Sequence, residues 1–180
     1  MKLDKTVLFR ILSIAAVAVI TLSIFFVTRL NNNDNITYSK IVSYVSGNYE
    51  KLENFPYSEI EKIKSSNDSP EIKKQKEEEI IKRYLGENTI VTSVYAYNEN
   101  ILQFYCGGSG FLDVGTYTGF YFSRYDMPYA FEFNTLELVE ISPGVFEGQD
   151  EDGAQQIHGG HKIRTEKIRD KWYYYIQYWY

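Results

Sequence analysis

Near residue 89 the spacing of apolar residues changes from three or four to two, and this switch limits the fold to one broad class. Before it, Ile41, Val45, Tyr49 and Leu52 recur at helical intervals, and Ile60 with Ile63 mark a short second helix after Pro56. A third helix carries the fullest set of end signals: Ser69 as N-cap, Pro70 at the first helical position, Glu71 against the positive helix end, and Gly86 where a C-terminal cap belongs. Its apolar side is narrow, with Ile72 at one end and Ile80, Ile81, Tyr84 and Leu85 at the other. The stretch 73–79 reads as a solvated charged face, supported by the spacings Glu78 to Lys82 and Glu79 to Arg83. After residue 89, β-branched and aromatic residues alternate over 90–97, 101–106, 117–124, 129–133, 136–141, 163–168 and 172–180, with short turn-forming connections between most of them. Helices followed by strands define an α+β fold: about three helices from 36–88, packed on one face of a curved antiparallel meander of roughly six or seven strands from 89–180.

Ahead of this domain, Lys2, Lys5 and Arg10 precede an uncharged run, 11–27, whose only polar residues are Ser13, Thr21 and Ser23. At ~1.5 Å per residue the run spans roughly 26 Å, and Val7, Leu8 and Phe9 extend it to a full bilayer crossing with Arg10 snorkelling. Its bulky end, Ile24-Phe25-Phe26-Val27, is a poor cleavage site, so the segment is expected to persist as a signal anchor. Residues 1–30 are thus expected to be a cytoplasmic N-terminus and transmembrane helix, 31–35 a polar tether, and 36–180 a single extracytoplasmic domain. The basic flank sets that orientation and makes the cell membrane the first expected partner.

Charge removes several functions. The chain has 180 residues and a formal net charge of −5, and residues 89–180 carry six basic against twelve acidic side chains. An acidic outer domain is a poor ligand for nucleic acid or for anionic head groups. One cysteine, Cys106, excludes an intramolecular disulfide and a multi-cysteine zinc site; it alternates with Leu102 and Phe104 and is expected to be a buried, inert thiol.

The C-terminal strand is unusual in carrying large rings on both faces. Trp172, Tyr174, Ile176, Tyr178 and Tyr180 lie on one side, and Tyr173, Tyr175, Gln177 and Trp179 on the other. One helical layer covers one face only. The other is either covered by sheet curvature or by a partner, or left as an aromatic surface, in which Tyr95, Tyr97, Tyr117 and Tyr121 join Tyr173, Tyr175 and Trp179 as candidate ligand-binding residues. His158-Gly159-Gly160-His161, with Asp152 as a third group, is the one candidate metal site. Gly107-Gly108-Ser109-Gly110 lacks the spacing and following helix of a phosphate cradle and reads as a bend, so no cofactor is expected. No catalytic constellation is identified. The resulting expectation is a non-enzymatic, membrane-anchored domain that binds a protein, peptide or glycan through its aromatic sheet face. The alternatives are a small cell-envelope hydrolase using acidic residues and an accessory subunit of a membrane complex. If the topology is right, protease added to intact or wall-stripped cells will remove a tag placed after Tyr180 and spare one placed before Lys2; the reverse pattern contradicts it.

Overall fold

The computed structural model describes residues 36–111, 114–131, 136–149 and 160–179. The chain divides into two units, Met1–Asp34 and Asn35–Tyr180, and every described residue lies in the second. The expected anchor and tether fall outside the described residues; among those described, no helix is long and apolar enough to cross a membrane.

Among the described residues three helices come first: α1 (Tyr38–Glu53), α2 (Tyr57–Ser65) and α3 (Pro70–Leu85). Thr37 caps α1 by accepting from the Lys40 amide, and Ile41, Val45 and Leu52 form its buried side. Ser69 caps α3 through the Ile72 amide, Pro70 opens it, and Gly86 closes it at φ 96°, a conformation open to glycine. Ile80, Ile81 and Leu85 are buried, but Ile72 stands out in solvent, because only the C-terminal half of α3 is buried in the core.

Seven strands follow: β1 (Ser93–Asn98), β2 (Ile101–Phe111), β3 (Val114–Ser123), β4 (Val139–Ser142), β5 (Val145–Gln149), β6 (His161–Arg169) and β7 (Trp172–Trp179). They form one antiparallel sheet in the order β1-β2-β3-β7-β6-β5-β4. The α+β class is therefore as expected, but the sheet is not a single meander. Two meanders, β1-β2-β3 and β4-β5-β6-β7, are joined side by side through β3 and β7. The reason lies in β7 itself: a strand with rings on both faces is most stable where both faces are covered, and that is the middle of the sheet.

On the helical face, Trp172 packs against Phe104, Phe120 and Phe122 with ring centroids 5.4–6.0 Å apart, beneath Ile41, Val45, Phe55 and Ile81. The opposite face is covered by the chain that connects β3 to the far edge at β4. Tyr129, Ala130, Phe131, Leu136 and Leu138 from this connection pack over Tyr121, Tyr173, Tyr175 and Ile163. Phe131 is the hub, its ring 4.8 Å from that of Tyr175, 5.1 Å from Tyr121 and 5.3 Å from Tyr97. The segment expected as a strand at 129–133 is, over its described part, this cover: Phe131 takes a left-handed φ of 53°, incompatible with a ladder.

The two edges are finished differently. On β1, Glu77 of α3 accepts from the Val94 amide at 2.8 Å and from Ser93 Oγ at 2.6 Å, while Lys64 of α2 donates to the Val94 carbonyl and lies 3.7 Å from the Tyr95 ring centre. These helix side chains occupy the outward groups of the edge strand and block further pairing there. On β4 every residue is exposed, Val139 and Ile141 among them.

Because both faces of β7 are core, Trp172→Ala and Tyr173→Ala should each destabilise the domain by about 3–5 kcal/mol in denaturant unfolding. A Tyr173→Ala change held within about 1 kcal/mol would show that the second face is not core.

Candidate functional site

The sheet face away from the helices carries the residues expected to bind ligand, and the structure separates them into two sets. Tyr121, Tyr173 and Tyr175 are buried under the β3–β4 connection at 0–2 % exposure, so they are core and not surface. Tyr97 is half-buried against Tyr129 and Phe131 at the margin of the same cover. Tyr95 and Tyr117 are open, at 45 % and 43 %, and Trp179 is half-buried.

Between them stands Tyr105, which sequence reasoning missed. A bulge in β2 between Tyr105 and Gly107 lets Tyr105 and Gly108 share this face. Tyr105 then lies 6.1 Å from Tyr117, and Tyr117 6.4 Å from Trp179, with interplanar angles of 44° and 78°. Burial raises the Tyr105 phenol pKa first, and the neighbouring Tyr117 and Tyr95 add to the rise. Tyr105, Tyr117 and Trp179 thus make a row across three adjacent strands, about 10 Å long at ~4.8 Å per strand, and on β1 the open Tyr95 stands opposite Gln103, offset from Tyr105, which faces Ser93. Glycine makes room for it. A Cβ on Gly108 would collide with the Thr116 carbonyl and stand 3.0 Å from Tyr105 Oη, so the Tyr105 ring lies where a side chain would otherwise be.

The cover is fastened beside the row by hydroxyls and one ion pair. Thr165 Oγ1 donates to the Tyr174 carbonyl at 2.8 Å, which leaves it to accept from the Tyr121 hydroxyl at 2.8 Å. Tyr121 Oη in turn accepts from the Tyr129 amide at 2.9 Å. Further along, Asp126 binds Lys167 Nζ, accepts from the Lys171 amide at 2.7 Å, and receives the Tyr173 hydroxyl on its carbonyl at 2.8 Å. Burial pushes the Asp126 carboxyl up, but hydrogen bonds from Lys167, Lys171 and Tyr173 outweigh it and hold the group below the usual range. Lys167 is raised, mainly by the bond to Asp126. Tyr173 is pushed up to about 12 by burial and by the nearby Asp126 charge.

Of the expected metal residues, Asp152 and His158 lie outside the described residues. His161 is buried at 3 %, opens β6, and packs its ring 4.9 Å from that of Trp179. Among the described residues no group of three or more His, Cys, Asp or Glu is placed to hold a metal ion. Cys106 is buried as expected, and burial raises its thiol pKa far out of the reactive range. Comparison with known protein families, characterised proteins and solved structures finds no match to this chain.

The Asp126–Lys167 pair gives the cover a pH window with two edges. Asp126 is depressed in the fold, so its contribution is present above the unfolded carboxyl pKa of about 4 and is lost as pH falls through the lower folded value. Lys167 is raised, so its contribution is full below about 10.4 and is lost as pH rises through the higher folded value. Thermal unfolding followed against pH should therefore be flatter at both extremes in Asp126→Asn than in the wild-type chain; unchanged limbs would exclude the pair as a fastening.

Proposed function

We propose that this chain is a non-catalytic binding domain, tethered outside a membrane by residues 1–30, and that its ligand lies along the ring row Tyr95, Tyr105, Tyr117 and Trp179. The observation that carries this reading is the division of the aromatic face: the rings the fold needs are buried beneath Phe131, while Tyr95 and Tyr117 stay 45 % and 43 % exposed and Tyr117 is in ring contact with Tyr105 and Trp179. Tyrosine and tryptophan at the surface expose apolar area with a polar tip and dominate binding interfaces when grouped. The rings are tilted against one another and not coplanar, which favours a protein or peptide segment, whose side chains enter between rings, over a flat sugar face.

Titration chemistry points the same way. The resolved carboxylate shifts, at Asp68, Glu71, Asp126 and Glu147, are all downward, and burial raises Cys106 and the shifted tyrosines. Those groups move away from neutrality, the opposite of what acid–base catalysis requires. Lys64 alone moves towards it, lowered by desolvation, and its contacts with Glu77, Val94 and Tyr95 are those of an edge-strand cap.

The test is selection of a displayed random peptide library, and in parallel a glycan array, on the full chain. Ligands that emerge should bind Tyr117→Ala and Trp179→Ala at least about 30-fold more weakly, equivalent to a hot-spot loss of ~2 kcal/mol, with Tyr117→Ala stable to within about 1 kcal/mol. Ligands indifferent to both changes would overturn the assignment, and hits confined to the glycan array would transfer it from peptide to sugar.

A further inference from the structure

A cleft lies on residues the ring row does not use. Where the β1–β2 turn, the β6–β7 turn and the link between α1 and α2 meet, a cleft of about 400 Å³ opens. That volume falls in the ~300–1,000 Å³ range of small-molecule sites. Leu52, Phe55, Ile101, Leu102 and Phe122 give it an apolar lining.

Among the polar residues of this lining Asn98 accepts from the Asn100 amide at 2.8 Å, and the charged ones stand alone. Glu53, Glu99 and Lys171 also line the cleft, and among the described residues none of the three side chains makes an ion pair or hydrogen bond. Asn100, a further lining residue, has a side-chain carbonyl oxygen that is buried without a hydrogen-bond partner.

Lys171 adds an independent observation. Its φ is 66°, the left-handed region, where glycine fits freely and a side chain costs conformational energy. Its backbone amide already serves the fold by donating to Asp126, a bond glycine would make equally well. What the lysine adds over glycine is its side chain at the cleft.

We propose that the cleft binds a short apolar peptide with free termini, of dipeptide size. The apolar side chains lie on the Phe55 and Phe122 lining, the terminal ammonium meets Glu53 and Glu99, and the terminal carboxylate meets Lys171. Two carboxylates and one ammonium around an apolar hollow complement a zwitterion with an apolar body, and a ligand carrying one sign of charge leaves part of that set unmatched.

Isothermal titration of the full chain in lipid nanodiscs with the dipeptide Leu-Phe tests this. Leu-Phe should bind with Kd below about 1 mM, and the same dipeptide acetylated and amidated at its ends at least about tenfold more weakly. Lys171→Gly should weaken Leu-Phe by about tenfold or more while leaving thermal unfolding unchanged or raised, because it relieves the left-handed residue. The double variant Glu53→Gln/Glu99→Gln should show a similar loss. Tyr117→Ala should bind Leu-Phe like the wild type, so failure of the ring-row reading and failure of this one are separable. Absence of Leu-Phe binding, equal binding of the capped dipeptide, or wild-type affinity in Lys171→Gly would each overturn the proposal.

Discussion

A strand with large rings on both faces cannot lie at the margin of a two-layer protein, and most of this architecture follows from that constraint on β7. Trp172 and Tyr174 demand one apolar cover; Tyr173 and Tyr175 demand another. The helices supply the first. The second comes from topology: because β7 takes the place beside β3, the chain leaving β3 must travel past β7, β6 and β5 to reach β4, and it lays Phe131 across the rings on its way. Centrality and cover are thus one solution. Phe131 makes the dependence visible, since its left-handed backbone persists only because four surrounding rings hold the side chain.

The connection packs over Tyr121, Tyr173, Tyr175 and Ile163, and it leaves one end of the face open, with Tyr95 and Tyr117 exposed. There the sheet carries Tyr95, Tyr105, Tyr117 and Trp179, with glycine at 108 beneath the Tyr105 ring. Function in this reading occupies what the second cover does not reach. The edges obey the same economy: Glu77 and Lys64 close β1 from the helical layer, and the helices do not extend over β4.

Local signals were legible in the sequence and non-local ones were not. Ser69, Pro70 and Gly86 bound α3 because capping is decided within a few residues. The parity of 172–179 gave the two faces of β7, since alternation is a property of the strand alone. Pairing of β7 with β3 joins residues fifty or more positions apart and leaves no local mark, so a simple meander is the natural reading. Tyr129, Phe131 and Phe133 alternate like a strand, yet the described part of that segment crosses the sheet. The reverse error occurred at β5, where Glu147 and Gly148 hide a five-residue strand, and at Gly107-Gly108, where glycines expected to bend the chain instead carry β2 onward through a bulge. The site inherited these limits. Tyr95, Tyr117 and Trp179 were recognisable as candidates, but only the cover shows that Tyr121, Tyr173 and Tyr175 are core, and only the bulge brings Tyr105 into the row.

Amide hydrogen exchange on the full chain tests the central place of β7 most directly. The account predicts that amides of β7 and the facing part of β3 exchange slowest, through global unfolding, while those of β4 exchange fastest among the strands. Exchange of β7 amides as fast as those of β4 would place the C-terminal strand at an edge and contradict the account.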